Sequence, residues 1–433
     1  MWGTRLSSVG RSMIGSLLSG AAAQAGLLVS GILSSRILGP EDRGYLSLLM
    51  LAPLILCHLG GLGLPLAATY NVGKAPAAAG AIARLLIKPA LIQAVAFGAL
   101  QALILRAYAE GKPADVQLAA LYCGLLLPSW LASEYGYAFL QGQQRFGAFN
   151  VVRCWSKLLH ATILLVVFVV GIGTLPIVAG SWLAVSWLET VVTLLVVARG
   201  VDWTSGAGGA PPLRQMLRFG VTALPGAVSP IETLRLDQAI LGWFMSPASV
   251  GIYVTAGALT NPPRFVAQSV GAIAYPYVAA LDHRAAAWSA TWRFFGVTFA
   301  VSLALAAAIA ALAGTLVPLL FGDAFAAAVP VAQMLLLAAA LASGRRMLSD
   351  GARGLGYPGL GTTAEAISWG AIFVSAPLLL ARHGTVGMAT ALVIGAGVGL
   401  VTLLLGLTAR SRGESTKPAV HVASDEVALM DRS

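Results

Sequence analysis

The chain has 433 residues, 58% of them hydrophobic and only 10% charged, whereas a soluble domain carries roughly 25% charged residues. A soluble globular fold is excluded, and a polytopic membrane protein follows. The net charge of +10 calls for no nucleic acid, because basic loops beside anionic lipid headgroups have this composition.

A membrane span needs about 20 mainly apolar residues. About twelve such stretches run in chain order: 12–35, 44–69, 89–108, 116–139, 152–172, 176–198, 217–243, 250–280, 291–320, 329–350, 362–381 and 386–408. Four exceed the bilayer thickness, which predicts tilt or kinks. The first run follows Arg5 and Arg11 and continues unbroken past Ala21, Ala23 and Ala25 to Leu33. It therefore reads as an uncleaved first span rather than a signal peptide. With these spans, 20 of the 27 Lys and Arg residues fall in segments on one side. Arg36, Arg43, Arg106, Lys112 and Arg382 fall on the other, and Arg235 and Arg264 lie within spans. Lys/Arg-rich loops stay cytoplasmic, so both termini are expected in the cytoplasm of a multi-pass protein.

The segment 200–216 contains Ser205-Gly206-Ala207-Gly208-Gly209-Ala210-Pro211-Pro212, the composition of a flexible linker. It divides an expected all-α fold into a six-helix lobe at 1–199 and a second at 217–409, followed by a disordered cytoplasmic tail at 410–433. Cys57, Cys123 and Cys154 are odd in number, fit no metal spacing and lie in apolar spans, so neither disulfide nor metal site is read.

The halves repeat one another. Pro40-Glu41-Asp42-Arg43-Gly44-Tyr45 follows span one, and Pro247-Ala248-Ser249-Val250-Gly251-Ile252-Tyr253 follows span seven, at an offset of 207. Gly142-Gln143-Gln144-Arg145 and Gly351-Ala352-Arg353 correspond at nearly the same offset. Two six-helix halves in the same orientation form a parallel repeat, with the substrate path expected at their interface.

Further pieces are Ser35-Arg36-Ile37-Leu38-Gly39 before the first motif, Leu140-Gln141-Gly142-Gln143-Gln144-Arg145-Phe146 with Asn150 and Arg153, Leu217-Arg218-Phe219-Gly220, Leu236-Asp237-Gln238-Ala239-Ile240-Leu241-Gly242, and Phe321-Gly322-Asp323-Ala324-Phe325. In this order the chain resembles the multidrug/oligosaccharidyl-lipid/polysaccharide (MOP) exporter superfamily, in its bacterial polysaccharide and O-antigen branch of lipid-linked oligosaccharide flippases. The resemblance implies two V-arranged lobes, alternating access, a location in the bacterial inner membrane and undecaprenyl-diphosphate-linked glycans as cargo. It implies no cofactor. Pathway partners such as a polysaccharide polymerase or glycosyltransferases are also expected, as is a monomer, since each half can supply one wall of the path; proton or sodium coupling is expected through carboxylates within the spans.

Ionisable groups at membrane depth are functional candidates by default. Arg235 and Arg264 are the expected cavity cations for a diphosphate, because a guanidinium fork donates bidentately. Arg36, Arg153 and Lys157 complete that set, although positive-inside anchoring explains Arg153 and Lys157 equally well. Glu232 and Arg235, spaced i,i+3, share a helical face and either form a structural pair or orient the arginine toward cargo. Glu134, Asp237 and Glu232 are candidates for ion coupling; for Glu134 a hydrogen-bonded structural role stays open, as it does for Glu189. His58 and His160 read as neutral, hydrogen-bonded histidines. Pro262-Pro263 removes two backbone donors in span eight and predicts a kink or hinge there, with Pro53 and Pro65 as kink sites in span two. No phosphate loop or paired-His motif is present, so the chain does not read as an enzyme. A cation-coupled antiporter for small organic cations is the alternative on the same fold.

Overall fold

The computed structural model describes residues 2–204, 210–227, 229, 233–281 and 283–415. The described residues are all α, in fourteen helices: α1 (Trp2–Gly60), α2 (Leu64–Lys74), α3 (Ala79–Ala109), α4 (Ala114–Gly124), α5 (Leu126–Gly142), α6 (Phe146–Val170), α7 (Leu175–Ala198), α8 (Leu213–Ala227), α9 (Leu236–Phe244), α10 (Pro247–Ala258), α11 (Asn261–Ala279), α12 (Arg284–Phe321), α13 (Ala328–Gly354) and α14 (Pro358–Ser415). Eight stretches are long and apolar enough to cross a membrane. Two of them, Ser19–Gly60 and Pro358–Ser411, are long enough to cross twice. The seventh and eighth spans read from the sequence are broken into the shorter pairs α8–α9 and α10–α11. Each kinked rod as two crossings, and each broken pair as one, gives the twelve spans.

The breaks follow local chemistry. Where the sequence suggests loops around 36–43 and 382–385, a single residue interrupts each rod: Gly39 (φ 68°, ψ 179°) in α1 and Gly384 (φ 55°, ψ −134°) in α14. Only glycine enters these regions without a Cβ penalty. Pro40 then sits in the first turn of the resumed helix, where its missing N–H costs nothing. Pro247 does the same in α10, whose Ser246 cap accepts a hydrogen bond from the Ser249 amide at 3.4 Å.

α3 shows the solvent for which the chain is built. Val95 is 72% and Leu103 66% exposed, while Gln93 and Gln101 on the same helix are buried. Gln93 accepts a hydrogen bond from Tyr135 at 2.7 Å, and Gln101 donates to the Cys123 carbonyl. Apolar side chains outside and polar amides inside are the arrangement hydrocarbon selects, although the Gln101 side-chain oxygen is buried without a hydrogen-bond partner. Interhelical hydrogen bonds there contribute about 0.6 kcal/mol each.

The chain forms two compact units. The first comprises Met1–Asn261, Ile309–Leu335 and Arg382–Met388. It contains one apolar core where α2, α3 and α5 meet (Leu64, Ile82, Leu131, Leu140) and another joining α1, α4 and α7 (Leu46, Leu49, Val116, Val178). The second comprises Pro262–Ala308, Leu336–Ala381 and Ala389–Ser433, with Trp288, Leu348, Leu403 and Leu407 in its core. This grouping differs from the 1–199 and 217–409 division, because α8, α9 and α10 group with the first unit. Ser205–Gly209 of the linker, and the tail from residue 416, lie outside the described residues.

Candidate functional site

Within the first unit, α1, α5, α6 and α7 bring the ionisable residues of the first half together. Glu189 of α7 is buried, with its side chain 8% exposed, and Lys157 of α6 reaches it at 3.1 Å with 27% exposure. The Lys157 ammonium also lies 3.4 Å from the other carboxylate oxygen, and the Tyr137 hydroxyl donates to that same oxygen. One turn before Lys157, the Arg153 guanidinium lies over the Phe149 ring, 5.0 Å from its centre, and Phe149 meets Tyr137 edge-on at 5.6 Å. These residues form one strip, because i and i+4 share a helix face.

Glu134 occupies the facing strip of α5. It is exposed although Ser133, Tyr135 and Gly136 beside it are buried. It lies within electrostatic range of His58, Arg153, Glu189 and Lys157. The site thus has two fixed cations, two carboxylates and a histidine that engages the Leu54 carbonyl at 2.9 Å. Beside it, hydroxyls satisfy one another: Ser129 and Ser133 lie 3.0 and 2.9 Å from the Thr190 hydroxyl, and the Trp130 indole donates to Ser186 at 3.1 Å. His160 is held between the Ser30 and Ser181 hydroxyls, each at 3.2 Å.

The other candidates lie elsewhere. Arg36 donates to the carbonyls of Leu319 and Leu320 at the end of α12, at 2.7 Å for the latter. That is the capping role for a cation at a helix C-terminus. Arg235 precedes α9 with its backbone in the left-handed region (φ 53°, ψ 41°). Glu232 lies outside the described residues. Asp237 is buried and accepts the Tyr253 hydroxyl at 2.8 Å, while its second oxygen, also buried, has no hydrogen-bond partner. Arg264 is half-buried in the second unit. Pro262 and Pro263 do not kink a continuous helix. They occupy the first turn of α11, after a break at Leu259-Thr260. The Pro263 carbonyl accepts from the Ser302 and Ser343 hydroxyls, both at 3.3 Å.

A sequence model described as "polysaccharide biosynthesis protein" matches residues 33–330, more than half of the chain. The chain belongs to the polysaccharide biosynthesis protein family. Among solved structures, this family member is similar to an inward-facing multidrug resistance MATE family transporter of the MOP superfamily, at 18% identity, TM-score 0.69, and 92% of this chain with 96% of that one covered. It is also similar to the lipid II flippase MurJ in an inward closed conformation, at 12% identity, TM-score 0.70, and 91% and 87% covered. A MATE structure in the straight conformation aligns at 18% identity and TM-score 0.64, over 94% and 96%. No curated protein sequence matches. At these identities the likeness establishes the fold, which is the all-α fold of MOP superfamily transporters.

Lys157 and Glu189 pair with one another, and Arg153 and Glu134 are the other charged groups of this site. The pairing of Glu189 with Lys157 and Tyr137 was not read from the sequence. The available signal was a lone carboxylate amid the apolar run of α7, with Tyr135 and Tyr137 in the apolar run of α5.

Proposed function

We propose that this protein flips undecaprenyl-diphosphate-linked oligosaccharide units from the cytoplasmic to the periplasmic leaflet of a bacterial inner membrane, by alternating access between its two repeats. The family match carries the reading, and the MOP transporter fold supports it. The Arg153–Lys157 strip gives it chemistry: a diphosphate is a compact dianion, and two cations one helical turn apart suit it. Arg235 and Arg264 are proposed as further cargo contacts from the second half. Glu134 and Asp237 are proposed as ion-coupling groups, since one is an accessible interior carboxylate and the other is a buried one with an unused oxygen.

The test is reconstitution of the full chain in proteoliposomes with a fluorescent polyprenyl-diphosphate oligosaccharide, using an impermeant quencher to report the leaflet. Transfer should require the protein and fall at least about tenfold in Arg153→Ala, as expected for loss of a charge-assisted contact of 1.5 kcal/mol or more. Glu134 favours a second reading, a cation-coupled antiporter. Uptake of a lipophilic organic cation driven by a pH gradient, with no lipid transfer, would establish that reading instead.

A further inference from the structure

The repeated Pro-x-x-x-Gly motifs meet one another in space. A Cβ placed on Gly44 would overlap the Pro247 carbonyl and lie 3.1 Å from the Gly251 amide nitrogen. A Cβ placed on Gly251 would overlap the Pro40 carbonyl and lie 2.9 Å from the Gly44 nitrogen. Each glycine rests on the first-turn carbonyl of the other motif's proline, so the contact is reciprocal, like an interface about a two-fold axis. Beside it, the buried Ser35 and Thr255 hydroxyls lie 3.0 Å apart.

A second reciprocal contact lies at the other end of the same segment. A Cβ on Gly220 of α8 would fall 2.6 Å from the Gly63 carbonyl group and 2.8 Å from the Leu62 oxygen. A Cβ on Gly63 would strike the Gly220 carbonyl. Tyr70 and Phe219 stack alongside, with centroids 4.7 Å apart. From Gly44 to Gly60 the chain is helical, about 24 Å at 1.5 Å per residue. That is most of the roughly 30 Å hydrocarbon core. The two contacts therefore lie near opposite faces of the membrane.

Both contacts join the first repeat to the second. The approaching elements are bounded by breaks in the helical ladder, at Gly39 for α1, at Met245-Ser246 and Leu259-Thr260 for α10, and at 61–63 between α1 and α2. We infer that the Gly44–Gly251 and Gly63–Gly220 contacts are the two latches of the transport path, each closing one face only because neither partner carries a side chain. Their roles as gates rest on the proposed alternating access. Backbone-on-backbone contact suits a gate, because it excludes solvent when closed and is held mainly by dispersion and weak Cα–H···O contacts, which separate at low cost.

The test uses the full chain in proteoliposomes, with Cys57, Cys123 and Cys154 replaced by Ala and one cysteine pair introduced beside each latch. Ser35→Cys with Thr255→Cys reports the first, and Tyr70→Cys with Phe219→Cys the second. In the parent both pairs should oxidise readily. Gly251→Ala should lower oxidation of the first pair on the order of tenfold while sparing the second, and Gly220→Ala should do the reverse. Adding Gly44→Ala to Gly251→Ala should have little further effect, because one Cβ already breaks the reciprocal contact. Equal losses at both pairs would mean general loosening and overturn the inference, as would no change at either. Should a variant fail to reach the membrane, oxidation of the Gly-intact pairs decides the matter. Locking either pair should stop lipid transfer, and reduction should restore it. Transfer at the parent rate through a locked protein overturns the latch. Absence of transfer even from the reduced parent overturns the proposed cargo instead and leaves the cross-linking result independent.

Discussion

A buried carboxylate such as Glu189 is tolerated in a low-dielectric interior because Lys157 and Tyr137 donate to it. Removing one member of such a pair leaves the other uncompensated, at a cost of about 3 kcal/mol, nearer the low end of the usual range because Lys157 retains some access to water. Glu189→Gln should therefore lower the thermal midpoint of the detergent-solubilised protein. Lys157→Met combined with Glu189→Gln should recover most of the loss, since an apolar replacement for a buried pair is often neutral. A double variant less stable than the single would show that the pair is net stabilising. Arg235 presents the opposite case, a side chain kept where its backbone is strained. A non-glycine residue in the left-handed region costs on the order of 1–3 kcal/mol and persists when the surroundings impose it. Arg235→Gly should raise the thermal midpoint by a few degrees while reducing lipid transfer; Arg235→Ala should keep the strain and lose transfer as well. Transfer at the parent rate in Arg235→Gly would remove this residue from the cargo path. Neither feature was open to sequence reasoning. Lys157 and Glu189 are separated by 32 positions, so their contact depends on how α6 packs on α7. The conformation of Arg235 depends on where the helix of span seven stops.

At the scale of elements, hydropathy located the helices well and their interruptions poorly. α6 and α7 coincide closely with the apolar runs 152–172 and 176–198, because each is one uninterrupted crossing with turn residues on both sides. The segments around Gly39 and Gly384 read as loops because Gly, Pro and charged residues cluster there, yet one glycine with positive φ is enough to separate two helices. Span eight shows both outcomes together. Pro262 and Pro263 signalled a disrupted ladder, and the disruption exists, but it falls at Leu259-Thr260, with the prolines beginning the next helix. A proline in the first turn lacks only an N–H that would have no partner anyway. The two prolines also mark where the chain first passes from the first compact unit, at Asn261, to the second, at Pro262. Replacing both by Ala restores two donors and permits α10 and α11 to join. Such a straightened element should insert normally and transfer lipid severalfold more slowly, as expected where hinge residues absorb the backbone change. Unchanged transfer rates, with the parent's cross-linking at both latches, would make the break a packing detail rather than a hinge.

For the whole molecule, the internal repeat was the most productive sequence signal. An offset of 207 shared by two short motifs indicated two equivalent halves, and the structure brings those same motifs into reciprocal contact. The candidate site was only partly legible, because a list of charges at membrane depth does not say which helices converge. Arg36 belonged on that list by position, yet its guanidinium caps α12. The charge asymmetry makes a prediction of the same scope. Lys and Arg are costly to translocate in short loops, and the basic residues gather at 74–88, 145–157, 199–218, 284–293 and 345–353. A reporter active only in the cytoplasm should therefore be active when fused after Ser415 and inactive when inserted at Gly111, between α3 and α4. A periplasmic reporter should give the converse pattern. The two insertions lie on opposite sides of an odd number of crossings under the twelve-span reading, so activity of one reporter at both points would break either the span count or the topology. Activity of the periplasmic reporter after Ser415 and of the cytoplasmic one at Gly111 would invert the molecule. The Gly44–Gly251 latch would then close the cytoplasmic face rather than the periplasmic one, and the Arg153–Lys157 strip would greet cargo arriving from outside.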